Sequence, residues 1–170
     1  MTTQELIEKY KELGIGQEEY IDKNYKRPDK DNYFLKIAYE ISKRSHDANT
    51  ACGCVIVKDG RIISTGYNGF PPNMPDEIIP NIRKDNKKYC FINHSEANAI
   101  YNAAKEGISL HNSKIYVTGI PCSNCAKALV TVGITEWIIG DVKYIADEKE
   151  ELLRNFWIDA FNVKITHLKG

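Results

Sequence analysis

Two short stretches limit what this chain can become: His94-Ser95-Glu96 and Pro121-Cys122-Ser123-Asn124-Cys125. They read H-x-E and P-C-x-x-C. One imidazole and two thiolates are zinc ligands that leave a fourth position open, and an open position separates catalytic from structural zinc sites. The fold must then bring His94 against Cys122 and Cys125. Each motif stands at the expected start of a helix. Two helix N-termini facing one metal offer free N–H groups and partial positive charge, which favour the thiolate forms. Cys122 and Cys125, at i and i+3, share one face of a first turn. Glu96, two residues from His94, is not needed as a ligand, so its carboxylate is available to move protons. A redox-active CxxC pair or a structural zinc site is the competing reading of the cysteines. For Glu96 alone, the competing reading is a first-turn carboxylate that interacts with the helix dipole.

The rest of the chain supplies a scaffold. Thr2 with Glu5 has capping-box spacing, and Leu6, Ile7, Tyr10 and Leu13 fall on one side of a helix expected over 2–13, which Gly14 ends. Residues 15–30 are polar, contain Pro28 and read as a connector. Residues 1–30 are therefore expected to form an N-terminal helical extension, packed on the domain or on a partner subunit, with 31–170 as the domain itself. Asp31 or Asn32 caps a helix expected over 33–44, with Tyr33, Phe34, Ile37, Ala38 and Ile41 as its buried stripe. A polar loop from Arg44 to Thr50 leads to a strand over 52–58. Asp59-Gly60 makes a two-residue hairpin turn, and the return strand runs from Arg61 to Tyr67. Asn68-Gly69-Phe70-Pro71-Pro72 is a tight loop. The charged insertion over 73–93 is long enough to be a lid or a partner surface, or a solvated loop.

Helices are expected over 94–106, with Ala97, Ile100, Tyr101 and Ala104 at helical spacing, over 122–132 before Gly133, and over 148–157 with Leu152, Leu153 and Phe156 buried. Strands are expected over 114–118, 136–139 and 162–166. Strands that alternate with helices after an initial hairpin imply a mixed sheet covered by helices, an α/β/α layered domain.

The 170 residues suffice for one domain. Lys and Arg number 23, as do Asp and Glu, so the formal net charge is zero. That argues against a broad basic surface for nucleic acid and leaves room for a small phosphorylated substrate, which needs only a local set of donors. No apolar run has membrane-spanning length, and the first residues lack the apolar core of a secretory signal. Five cysteines do not make an even disulfide framework, so a cytoplasmic location with free thiols is expected.

From Arg44 to about Tyr144 the chain resembles the deoxycytidylate (dCMP) deaminase family of the cytidine deaminase superfamily. The stretches that carry the resemblance are Arg44-Ser45-x-Asp47-x-Asn49, Gly53, Gly66-Tyr67-Asn68-Gly69-Phe70-Pro71 and His94-x-Glu96-x-Asn98-Ala99-Ile100. They continue with Tyr116-Val117-Thr118 and Pro121-Cys122-x-x-Cys125-Ala126-Lys127. The two zinc motifs alone mark only the superfamily; the G-Y-N-G-x-P stretch narrows it. The resemblance implies a three-layer cytidine deaminase-like fold with a five-stranded mixed sheet, and hydrolysis of dCMP to dUMP and ammonia, which supplies thymidylate synthesis. It implies one catalytic Zn2+ per chain on His94, Cys122 and Cys125, with Glu96 as proton shuttle. It places Arg44, Ser45, Asn49 and Asn68 around the sugar and phosphate, and Tyr144 on the base. It implies a hexamer activated by dCTP and inhibited by dTTP, with Mg2+ on the effector and Gly66, Tyr67, Asn68 and Gly69 in contact with it.

Three residues depart from the family pattern. Cys52-Gly53-Cys54 stands where Val-Gly-Ala is common; the backbone there is expected to meet the pyrimidine edge, and Cys54 to tighten the pocket. Ser95 stands where Ala is common and adds a hydroxyl. Cys90 has no evident ligand partners. The alternatives are a deaminase that also accepts dCTP or free (deoxy)cytidine, a tRNA adenosine deaminase, which the neutral charge disfavours, and a catalytically silent zinc-binding nucleotide sensor, against which Glu96 speaks.

Overall fold

The computed structural model describes residues 1–15, 24–47, 49–74, 91–143 and 145–169. Five strands form one mixed sheet. β1 (Gly53–Lys58) and β2 (Arg61–Tyr67) make a hairpin, and β3 (Lys114–Gly119), β4 (Glu136–Val142) and β5 (Lys164–His167) follow. The order is β2-β1-β3-β4-β5. β1 is antiparallel to both neighbours, whereas β3, β4 and β5 run parallel. Asp59 and Gly60 both take positive φ, 50° and 76°, the conformation a two-residue turn needs to match strand twist.

Side chains alternate across this sheet with the strand period. Cys54, Ile56, Ile115, Val117, Trp137 and Ile139 point to one face, where α3 (Ser95–Lys105) and α4 (Ser123–Thr131) cover them. Val55, Val57, Tyr116 and Ile138 point to the other, under Phe34, Leu35 and Ala38 of α2 (Lys30–Ser42). The last helix, α5 (Glu148–Ala160), packs against α4. The expected three-layer arrangement is the one observed.

The elements keep their order and shift at their ends. The Thr2–Glu5 capping box forms at the start of α1 (Thr3–Glu12), but no residue of that helix is buried; Ile7 and Tyr10 are 43% and 44% exposed. Its expected apolar side therefore has no cover among the described residues. Asp29, not Asp31 or Asn32, caps α2, accepting from Asn32 N at 2.9 Å. Asp31 instead accepts the Tyr116 hydroxyl at 2.8 Å. Tyr33, expected inside, is 49% exposed, and Leu35 takes an inner position.

Two helical faces are rotated from expectation. α3 buries Ser95, Glu96, Ala99 and Ala103, and leaves Tyr101 57% exposed. α5 buries Arg154 and leaves Leu152, Leu153 and Phe156 at 64%, 44% and 57%. In both, the inward face carries polar side chains that an apolar stripe does not reveal. β4 runs three residues beyond its expected end. No described helix is long and apolar enough to cross a membrane.

Candidate metal centre and active site

The site forms where α3 and α4 begin. His94 is the N-cap residue of α3 and makes no side-chain cap hydrogen bond, so its imidazole is free to face outward from the helix. Cys122 is the N-cap residue of α4, and its Sγ accepts from Cys125 N at 3.4 Å. α3 is pinned over β2 by three side chains. Ser64 Oγ donates to Ala99 O at 2.6 Å, Asn98 Nδ2 to Tyr67 O at 2.9 Å and Asn102 Nδ2 to Thr65 O at 2.8 Å. Gly66 permits that approach: a Cβ there would lie 2.1 Å from Ser95 O and 2.5 Å from Ala99 N.

These placements bring the three expected ligands together. His94 Nδ1 lies 3.4 Å from Cys122 Sγ and 3.6 Å from Cys125 Sγ. All three donor atoms fall within 4.8 Å of one another. Zinc bond lengths of about 2.0–2.1 Å to nitrogen and 2.3 Å to sulfur give a tetrahedral N···S edge of about 3.5 Å. The chain's own donors match that edge, so the residues fit the ion.

Electrostatics agree. Hydrogen bonds with Cys125 and His94 hold the Cys122 thiol down to about 4. Cys125, which donates to Cys122 and is buried, is pushed up. Its bond with Cys122 raises His94. Without a cation the cluster keeps protons that a dication must displace, so metal uptake is coupled to proton release.

Glu96 is 5% exposed. Burial raises its carboxyl, opposed by its backbone hydrogen bond and by the Ser95 hydroxyl, which donates to Oε2 at 2.8 Å. A carboxyl raised in this way suits a group that must take and return a proton near neutral pH. Glu96, His94 and Cys122 line one cleft, together with Ser95 and Asn68.

The other expected site residues divide. Asn68 lines the cleft, and its amide is spent on the wall: Oδ1 accepts from Cys52 N and Nδ2 donates to Thr50 O, both at 2.8 Å. Ser45 supports it from behind, its Oγ donating to Asn68 O at 2.7 Å. Arg44 and Asn49 are exposed and are not among the lining residues. Cys54 is fully buried beneath Ser95 and Glu96, and burial pushes its thiol well up. Gly69 pairs through its backbone with Asn93, at 3.1 and 2.9 Å. Tyr144, Cys90 and most of the 73–93 insertion lie outside the described residues.

The cleft also takes Cys52, whose stretch was expected at the pyrimidine edge, and Asp47, Thr50, Ile92 and Lys143, which sequence reasoning did not assign to the site. Asp47 stands within the Arg44–Asn49 motif and Lys143 beside Tyr144; those two neighbourhoods were the available signals.

Residues 28–141 match the family model for the cytidine and deoxycytidylate deaminase zinc-binding region. A probable deoxycytidylate deaminase of Drosophila melanogaster is 34% identical over 144 residues, covering 79% of this chain and 70% of the fly protein. The Homo sapiens deoxycytidylate deaminase is 36% identical over 117 residues, covering 66% of this chain and 65% of the human one. A dCMP deaminase from the cyanophage S-TIM5, solved in complex with dCMP and dUMP, has the same fold, with a TM-score of 0.68 at 22% identity over 85% of this chain and 100% of the phage chain.

Proposed function

We propose that this chain, which belongs to the cytidine and deoxycytidylate deaminase family, is a zinc-dependent hydrolase that converts dCMP and water to dUMP and ammonia. The observation that carries the reading is the buried Glu96 carboxylate on the wall of a cleft, next to three donors at zinc spacing. His94, Cys122 and Cys125 hold the ion, which when bound supplies a water molecule acidified to a pKa near about 7. Glu96 would carry two protons in turn, one from the attacking water to ring N3 and the second from the hydroxyl added to the ring carbon to the departing amine, so that the carbon gains oxygen as ammonia leaves. Ser95 aims the carboxylate. Release of ammonia from dCMP, compared with dCTP, deoxycytidine, cytidine and adenosine, tests the assignment. Equal or greater turnover of any of the others would replace dCMP as the substrate.

For the phosphate, Arg44 and Ser45 follow from the sequence, but Lys143 is the cation that lines the cleft among the described residues. A charge-assisted hydrogen bond contributes roughly 1.5–3 kcal/mol. Lys143→Ala is therefore expected to raise KM for dCMP about ten- to hundredfold while leaving deoxycytidine nearly unchanged, and Arg44→Ala to do less. The reverse ranking returns the phosphate to Arg44. By the same resemblance Asn49 serves the sugar and Tyr144 the base, while Asn68 shapes the cleft wall beside them.

Regulation belongs to the same proposal: a cytoplasmic homohexamer, activated by dCTP and inhibited by dTTP, each with Mg2+, at Gly66, Tyr67, Asn68 and Gly69. Residues 31–170 form the deaminase domain and 1–30 an appended extension. Asn68 supports the link, because it belongs both to that loop and to the cleft wall. An effector shifts activity only if it prefers one of two states. dCTP is expected to lower the half-saturation for dCMP, dTTP to raise it, and Asn68→Ala to blunt both; effector-blind kinetics of the wild-type enzyme reject the regulation.

A further inference from the structure

Glu150 lies on α5, outside both motifs. It occupies the third position of that helix, after the N-cap Asp147, whose Oδ1 accepts from Glu150 N at 2.8 Å. In α1 a glutamate at the same position, Glu5, turns back to its own N-cap backbone. Glu150 does something else. Its Oε1 accepts from Ser123 N at 2.5 Å and its Oε2 from Ser123 Oγ at 2.8 Å. Both carboxylate oxygens are spent on one buried residue of another helix.

That residue sits between the two cysteines. Ser123 is the first residue of α4, so its N–H has no partner within the helix. Fixing it fixes the turn that carries Cys122 on one side and Cys125 two residues on. Cys122 Sγ and Cys125 Sγ already stand 3.4 and 3.6 Å from His94 Nδ1, at the edge length that a tetrahedral zinc site demands.

We infer that Glu150 is a positioning residue for the metal: by clamping Ser123 from α5, it holds the Cys122–Cys125 turn at zinc-binding geometry before the ion arrives. Outer partners that orient ligands typically change metal affinity about 10- to 100-fold when removed. The clamp also makes α5, whose contact is with α4 and not with the cleft, part of the metal centre. The inference rests on the zinc reading above, though not on the identity of the substrate.

Zinc dissociation constants of the intact protein, measured by chelator competition, test it, together with the melting temperature of the metal-free form. Glu150→Ala is expected to weaken zinc about 10- to 100-fold. Glu150→Gln, which keeps one acceptor oxygen, should fall between Ala and wild type. Ser123→Ala, which removes only the hydroxyl bond, should lose less than Glu150→Ala. A merely structural tether predicts a lower melting temperature in metal-free Glu150→Ala with the zinc constant unchanged, and that result overturns the inference. So does wild-type affinity in both Glu150 variants. Because zinc binding is read without substrate, failure of the wild-type protein to deaminate dCMP would reject the proposed reaction and leave this test intact.

Discussion

Glu96→Gln protein is expected to keep a full complement of zinc and to lose about 10⁴-fold in kcat. One proton transfer by a positioned side chain contributes roughly 10²–10⁴-fold, and Glu96 is asked to serve several. Gln preserves the shape of the side chain and cannot carry a proton between water, ring and leaving group. Metal remains because Glu96 is not among the three donors. Stability moves the other way. Burial raises the Glu96 carboxyl above its ordinary 4.5, so ionising it in the folded chain costs stability above the raised value, and that cost vanishes as pH falls below 4.5. Gln never ionises. The metal-free variant should therefore melt no lower than wild type at neutral pH. Activity above about a tenth of wild type in zinc-replete Glu96→Gln would remove the shuttle role, since that residue is less than one proton transfer contributes.

Cys122→Ala and Cys125→Ala should each lose metal and activity together. Each leaves two donors where zinc sites of this kind take three and one open position. Losing a group that only orients a ligand costs about 10- to 100-fold in affinity, and removing a ligand outright should exceed that. The two variants should differ in their metal-free behaviour. Cys122 is the acceptor that holds the cluster's proton network together, so its loss also releases His94 from the bond that raises it. Full zinc content in both purified variants would place the metal elsewhere.

The metal centre was legible because its chemistry demands fixed residue types at fixed spacing. H-x-E and C-x-x-C survive any uncertainty about where a helix begins, and the structure puts His94 and Cys122 at N-cap positions as the motifs require. The layered fold was legible from the alternation of strands and helices. The buried faces of α3 and α5 were not. An apolar stripe points inward only when the interior is apolar, and here the inward faces carry Ser95, Glu96 and Arg154. Glu150 was also out of reach. It bonds Ser123, distant in the chain, through docking of α5 on α4 that no local pattern encodes. Asn68 was half legible. Its presence in a punctuated loop was plain, but the expectation that its amide meets a ligand met a prior claim by Cys52 and Thr50.

That claim sets how the rim of the cleft comes apart. Residues 49–52 have no strand partner of their own, and the amide of Asn68 ties them to the end of β2 from both sides, with a further main-chain bond from Asn68 N to Cys52 O at 3.1 Å. Native proteins open in contiguous cooperative units whose free energies lie well below that of global unfolding. The Cys52 and Asn68 amides are therefore expected to exchange their hydrogens with solvent together, ahead of the paired strand beside them, in an opening that would widen the cleft and leave the sheet intact.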